Sequence, residues 1–140
     1  MLRGEFDAAD AADADALLAE YGARLAAVID REGVETVRDQ AGLSTATVEA
    51  IRDGDSETVG ALELTEAAEI VALEDDRPDA DVIAAEARDV LLLGMTTAVV
   101  DVETLASALD GAIEPKELQQ KVEGRYPMTL AEYARVHYEL

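Results

Sequence analysis

Residues 41–54, AGLSTATVEAIRDG, decide the fold of this chain. Gly42 follows an apolar helical pattern and is the kind of residue that ends a helix and begins a turn. Ser44 or Thr45 supplies a hydroxyl that can cap the next helix, and Gly54 ends that helix. The stretch therefore predicts a tight turn followed by a short helix.

Helical patterns continue on both sides of this stretch. The apolar residues before it are spaced as on one face of a helix that Gly33 closes: Leu17, Leu18, Tyr21, Leu25, Val28 and Ile29. A short helix over 34–41 comes next. After residue 54, a loop rich in Asp, Ser and Gly runs to about Glu63, and a helix with buried Ala68, Val71 and Leu73 follows. This pattern predicts an all-α protein of about eight helices.

The second half of the chain repeats the order of the first. The sequence AVID at 27–30 is matched by AVVD at 98–101, and VET at 34–36 recurs at 102–104. Further matches align Leu43, Val48 and Gly54 with Ile113, Leu118 and Gly124, and 68–70 with 131–133. Because the matches keep their order, they predict two related units, 16–74 and 75–140, after an acidic tail over 1–15.

A helix over 82–100 is predicted to be the centre of the fold. It is apolar on most sides, especially in the sequence VLLL at 90–93, and a helix that is apolar all round is normally buried. The β-branched residues of 96–100 could instead form a short strand. Beyond this helix, Pro115 suits a first helical turn, and Thr129 with Glu132 forms a capping box for the last helix.

The charge of the chain is strongly negative. There are 32 acidic and 11 basic residues, which gives a formal net charge of −21. An acidic interaction protein, a disordered chain and a protein adapted to a salt-rich cytoplasm all fit this composition. The helical patterns disfavour disorder, and molar salt would screen the self-repulsion. We therefore favour a halophilic cytoplasm, with cations at the acidic surface.

The segment 34–73 resembles the helix-turn-helix of the lambda-repressor and Cro class through its small turn residues and the closing Gly54. With the internal repeat, this resemblance implies two fused helix-turn-helix-like units around the central helix. In that class the early and outward residues of the second helix read DNA, here Ser44, Thr45, Ala46 and Glu49.

The whole chain also resembles a family of small acidic haloarchaeal proteins known only as a domain of unknown function. The segments that carry this resemblance are MLRGEF, EARDVLLLGMTTAVVDVETLA and QQKVEGRYPMTL. The resemblance agrees with the halophilic interpretation and implies no activity.

Catalytic chemistry has little support in the sequence. The single histidine, His137, lies four residues from the end, where a surface position or a helix C-terminal position is expected. No phosphate-binding loop, metalloprotease motif, calcium loop or nucleophile elbow occurs. Cysteine is absent, and no secretory signal opens the chain. We expect a cytoplasmic protein that is not an enzyme, has no metal or cofactor and does not bind membranes.

The second unit carries the better candidate DNA-binding surface. If Leu118 and Val122 face inward, the other side of their helix presents polar and basic residues that can contact phosphate or bases. Lys116 and Gln120 lie on that side together with Glu117 and Glu123. Gln119 and Lys121 lie on its flanks and Arg125 just beyond the helix, and these five polar and basic residues are the candidates: Lys116, Gln119, Gln120, Lys121 and Arg125. The first unit offers only the resemblance-based set, which includes the acidic Glu49.

A protein-interaction module is the alternative to a DNA-binding regulator. Such a module would hold another protein, or a second copy as a homodimer, through the same helices. A neutral or positive strip over Lys116, Lys121 and Arg125 would favour DNA, whereas an exposed apolar patch would favour a protein partner.

Overall fold

The computed structural model describes residues 13–74 and 79–140, which form nine α-helices and no β-strand. The predicted all-α class is confirmed. In chain order the helices are α1 (Ala14–Glu32), α2 (Val34–Ala41), α3 (Thr45–Arg52), α4 (Ser56–Ala61), α5 (Leu64–Val71), α6 (Ala80–Ala98), α7 (Val102–Ala108), α8 (Pro115–Val122) and α9 (Leu130–Glu139). Residues 1–12 of the predicted acidic tail lie outside the described residues.

The turn between α2 and α3 forms as predicted. Gly42 adopts the left-handed conformation, with φ 68° and ψ 27°, and its N–H donates to the Arg38 carbonyl at 3.0 Å. The Ser44 hydroxyl then caps α3 by accepting from the Thr47 N–H at 3.1 Å. Because these are contacts between neighbours in the chain, local sequence was sufficient to predict them.

The predicted loop between residue 54 and Glu63 contains a helix, α4, so that prediction was wrong. The Asp55 carboxylate caps α4 by accepting from the Glu57 N–H at 3.2 Å and from the Thr58 hydroxyl at 3.0 Å. Val59 and Gly60 of α4 are buried. A helix of six residues is too short to show an apolar period in the sequence.

The helix predicted over 82–100 is α6, and it does not lie at the centre. Only one stripe of α6 is buried, made of Ile83, Ala84, Ala87 and Leu91. Leu93 is 59% exposed, because α5 covers α6 on one side and only α8 and α9 make further small contacts with it. The centre is occupied by α1 and α9, which pack on each other through residues that include Tyr21 and Tyr133. The alternative strand over 96–100 is also excluded, since α6 continues to Ala98.

The two units are joined by a pair of backbone hydrogen bonds. The Leu64 N–H donates to the Met128 carbonyl, and the Leu130 N–H donates to the Leu62 carbonyl, both at 2.7 Å. These bonds form an isolated antiparallel bridge between Glu63 and Thr129. Around this bridge α1 packs on α9 and α6 packs on α5. Each unit therefore covers its first helix with the last helix of the other unit.

The register of the repeat differs from the one predicted. The buried residues Leu17, Leu18, Tyr21 and Leu25 of α1 lie 66 positions before Ile83, Ala84, Ala87 and Leu91 of α6. The capping boxes of α5 and α9 begin at Glu63 and Thr129, again 66 positions apart. The matches of 27–30 with 98–101 and of 68–70 with 131–133 were therefore wrong. In the observed register, 68–70 correspond to 134–136, three positions beyond the predicted 131–133. Three residues are close to one helical turn, so the predicted and the observed alignments match the same apolar faces of the two helices.

Membrane-spanning character is weak in the described ranges 13–74 and 79–140. No single helix there is both long and apolar enough to cross a bilayer. Taken together, α6 and α7 have such a length and composition, but they are bent by 98°.

We expect Gly42→Val to lower the free energy of unfolding by about 1–2 kcal/mol, because a β-branched residue is strained in the left-handed conformation. A Cβ at this position would meet no atom within 4 Å, so the loss would come from the backbone and not from a clash. Denaturant unfolding in multimolar KCl measures it. Gly42→Asn is the matched control and should lose less, since Asn tolerates this conformation. Equal unfolding midpoints for the parent and Gly42→Val would contradict the expectation.

Candidate functional site

The candidate DNA-binding helix α8 is held by its neighbours α6 and α7. Pro115 occupies the first turn of α8, as predicted, and Leu118 and Val122 are buried. Before it, the Asp101 carboxylate caps α7 by accepting from the Thr104 N–H at 2.8 Å. This hydrogen bond lowers the pKa of Asp101 below its usual value. Of the buried side chains of α8, Leu118 and Val122 are thus the two that were predicted to face inward.

Four of the five predicted residues on α8 and the turn after it are accessible. Lys116, Gln119 and Arg125 are exposed, and Gln120 is half-buried. Arg125 forms an ion pair with Glu123, so part of its charge is already compensated. Among residues 13–74 and 79–140, no ion pair involves Lys116, which leaves it as the accessible cation on this helix.

Lys121 is buried, so its prediction as an exposed DNA contact was wrong. Its side chain is 8% exposed and forms an ion pair with Glu132 of α9. Glu117 lies 3.6 Å from the same ammonium group. Both partners are carboxylates, and burial excludes a phosphate from the ammonium. Lys121 therefore ties α8 to α9.

The internal repeat could have predicted that Lys121 is buried. Aligning Val48 with Leu118 and Gly54 with Gly124 also aligns Ile51 with Lys121. Ile51 is fully buried in the first unit, and Lys121 occupies the corresponding place in the second. Lysine can do so because its long stem packs among apolar side chains while its ammonium reaches Glu132.

The accessible charge around α8 is slightly negative. Residues 113–126 contain three basic and three acidic residues, a formal balance of zero. With Lys121 buried, Lys116 and Arg125 remain against Glu114, Glu117 and Glu123. The helix is much less acidic than the chain as a whole, but it carries no positive strip.

The candidate residues of the first unit are occupied within the protein. Ser44 caps α3, and the Thr45 hydroxyl accepts from the Arg38 guanidinium at 3.2 Å. Glu49 is exposed, as expected. Arg52, the basic residue of α3, lies 3.4 Å from the Asp53 carboxylate. The exposed face of α3 therefore carries the negative charge of Glu49 without an unpaired basic residue, and it would repel a phosphate.

His137 lies in the last turn of α9, which is one of its two expected positions, but it is not exposed on the surface. It is half-buried, with Nδ1 2.7 Å from the Tyr21 hydroxyl and its ring edge-on to Tyr133. The Tyr133 hydroxyl donates to the Ala87 carbonyl at 3.0 Å, and burial raises the pKa of both phenols above the usual value. Because α9 packs along α1, the last turn of α9 faces the core. The His137 imidazole and the Tyr21 hydroxyl therefore meet there and form a hydrogen bond.

A second surface was not predicted as a site. At the C-terminal end of α6, Leu92, Leu93 and Val99 are 38%, 59% and 91% exposed. We call these three residues the α6 apolar end. Residues 90–100 contain no charged side chain, which was visible in the sequence. Their exposure was not visible, because it depends on which helices cover α6.

We expect Glu132→Gln to lower the free energy of unfolding by about 1–3 kcal/mol, because it leaves the buried Lys121 ammonium without its closest anion. The introduced amide oxygen can keep the capping-box bond that Glu132 Oε1 accepts from the Thr129 N–H at 2.9 Å. Glu117→Gln is the control and should change the free energy by roughly 0.5 kcal/mol or less, since that carboxylate is half-exposed. Denaturant unfolding of both variants measures the difference, and equal losses would show that Lys121 does not depend on Glu132.

Comparison with known proteins gives a family without an assigned activity. No curated protein and no solved structure matches the chain. Residues 17–140 match a family described as a family of unknown function, DUF5791. The match covers every helix of the structure except the first turn of α1. The chain therefore belongs to the DUF5791 family of unknown function.

Proposed function

We propose that this protein is a non-catalytic protein-interaction module that docks through the α6 apolar end. The observation that carries the proposal is the exposure of Leu92, Leu93 and Val99 in a segment without charge. Single exposed apolar residues are ordinary, but an uncharged cluster on an otherwise acidic surface is typical of a contact surface. Burial against a partner would remove this apolar surface from water, which favours association against the loss of translational and side-chain freedom.

The backbone at Val99 supports the same surface. Val99 has φ 54° and ψ 49°, a left-handed conformation that β-branched residues rarely adopt, and it is 91% exposed. The strain of such a residue costs roughly 1–3 kcal/mol, and strained residues cluster at functional positions. Here the left-handed turn ends α6 and holds the Val99 side chain in solvent, in the same uncharged segment as Leu92 and Leu93.

The partner that this surface fits best is a second copy of the chain. In a two-fold dimer the same patch lies on both sides, so it must be complementary to itself. An acidic surface fails that test because like charges would face each other. Residues 90–100 can face a second copy of themselves because they carry no charged side chain. The nearest charges in the sequence are the flanking Asp89 and Asp101. High salt would weaken the repulsion between the flanking carboxylates and strengthen the association.

We expect the parent protein to dimerise in multimolar KCl and Leu93→Glu to be monomeric at the same concentrations. The introduced carboxylate would be desolvated against its symmetry mate. Leu93 is 59% exposed, so the variant should keep the parent's fold, as judged by circular dichroism. Its melting temperature should equal that of the parent at concentrations low enough for the parent to be monomeric. Sedimentation velocity over a range of concentrations measures the association.

Ala23→Glu adds the same charge at an exposed position of α1 and is the matched control. It should dimerise like the parent. A parent that stays monomeric at all concentrations, or a control that dissociates as completely as Leu93→Glu, would overturn the assignment of this surface to a second copy.

DNA binding is the second candidate, supported by exposed Lys116 and Gln119 on a helix whose surroundings have a formal balance of zero. Gln and Lys contact bases and phosphates in major grooves. Dimerisation through α6 would also supply two copies of α8, as a palindromic site requires.

If DNA is bound, Lys116→Glu with Gln120→Ala should weaken binding by at least about tenfold, the equivalent of roughly 1–3 kcal/mol for a lost base contact. Glu49→Ala in the first unit should have little effect. Fluorescence anisotropy with duplexes of mixed sequence in multimolar KCl measures the affinity. Absence of binding by the parent, or equal binding by the double variant, would remove this candidate.

A further inference from the structure

A cavity of about 170 Å³ lies between the start of α5, the middle of α6 and the turn after α8. Its walls include Thr65 of α5, Arg88 of α6 and Arg125 and Tyr126 of the turn. Neither the α6 apolar end nor the exposed face of α8 contributes to it. It is therefore a separate feature of the fold.

The internal repeat explains why space is present here. In the first unit α4 fills the corresponding position: a Cβ on Gly22 would lie 3.4 Å from Val59, and a Cβ on Gly60 would lie 3.2 Å from that of Ala131. In the register of 66 positions, Gly22 corresponds to Arg88, and Ala131 corresponds to Thr65. The residues against which α4 packs thus correspond to residues that line the cavity.

The second unit has no helix to place there. Residues 55–61, which include α4, separate Gly54 from Leu62, whereas only residues 125–127 separate Gly124 from Met128. The Arg88 side chain extends into this region and lies across Gly124, where a Cβ would be 2.6 Å from Nε. The absence of a side chain at Gly124 is what lets the guanidinium lie there.

The walls of the cavity reverse the charge balance of the chain. Arg88, Lys121 and Arg125 line it, and Glu63 is the one acidic residue among the described residues that do so. In the described ranges of the chain no ion pair involves Arg88, whereas Arg125 is paired with Glu123 and Lys121 with Glu132. Arg88 is thus a half-buried cation available to a ligand, in a chain with about three acidic residues for every basic one.

We propose that this cavity binds a small phosphate-class oxyanion, either free phosphate or the phosphate of a small ester. Arg88 and Arg125 each offer a planar set of N–H donors that suits phosphate oxygens. Thr65 lines the cavity at the start of α5, where the Glu63 carboxylate already caps the helix by accepting from the Glu66 N–H. The two arginines are therefore the groups that would bind the anion. Guanidinium groups on two different walls suit a tetrahedral anion, whose oxygens point in several directions, better than a planar carboxylate.

The size of the cavity supports a small ligand. Sites for drug-sized molecules usually enclose about 300–1,000 Å³, and this cavity has about 170 Å³. A short helix such as α4 does not fit beside Arg88. Exposed Tyr126 at the rim can contact the organic part of an ester.

The test is isothermal titration calorimetry of the parent with inorganic phosphate in KCl at constant ionic strength. We expect saturable binding, and binding at least about tenfold weaker for Arg88→Gln and for Arg125→Gln. Arg52→Gln is the matched control for Arg125→Gln, because Arg52, like Arg125, is exposed and paired with a nearby carboxylate, that of Asp53. It should bind like the parent. Phosphate should also raise the melting temperature of the parent and not that of Arg88→Gln.

Two further titrations identify the ligand class. Glycerol phosphate should bind at least as tightly as inorganic phosphate, and acetate should bind much more weakly. Absence of saturable phosphate binding, equal loss in Arg52→Gln, or acetate binding as tight as phosphate would overturn the proposal. If Arg88→Gln does not fold, judged by circular dichroism, Arg125→Gln decides, because its exposed side chain is not part of the core.

Discussion

Two backbone hydrogen bonds between residues 62–64 and 128–130 constrain the whole structure. They hold the starts of α5 and α9 side by side and antiparallel. As a result α1 packs on α9 and α6 packs on α5. Neither unit could keep this arrangement alone, because each would expose to water the part of its first helix that the last helix of the other unit covers. The repeat therefore produced one shared core and not two independent domains.

This shared core tolerates differences between the units at its edges. A difference of four residues in the segment before α5 and α9 decides whether a helix or a cavity lies beside the bridge. The first helix of each unit carries a different residue at the position that faces this space, Gly22 in α1 and Arg88 in α6. Gly22 admits the Val59 side chain of α4, and Arg88 extends into the space that a helix leaves. A length difference of four residues thus goes with apolar packing in one unit and a polar cavity in the other, while the bridge is kept.

Sequence reasoning succeeded where the determining contacts are local. The turn at Gly42, the cap of α3 by Ser44 or Thr45 and the Thr129 capping box each depend on residues within four positions, and all were predicted. It failed where burial depends on distant helices. Apolar composition could not show that only one stripe of α6 is covered by other helices, so the exposure of Leu93 was missed. The burial of Lys121 required Glu132 of α9 as a partner, which helical spacing within α8 cannot show.

The net charge acquires a different meaning once the structure is known. On a surface with mostly one sign of charge, long-range attraction does not distinguish one region from another, and recognition depends on places where that charge is absent or reversed. The described part of the chain contains a place of each kind: the uncharged α6 apolar end and the cavity around Arg88. The exposed face of α8, where acidic and basic groups nearly balance, lies between these extremes. High salt would screen the acidic background more strongly than the half-buried Arg88 or the apolar contacts. Salt would therefore sharpen the contrast between these two places and the rest of the surface.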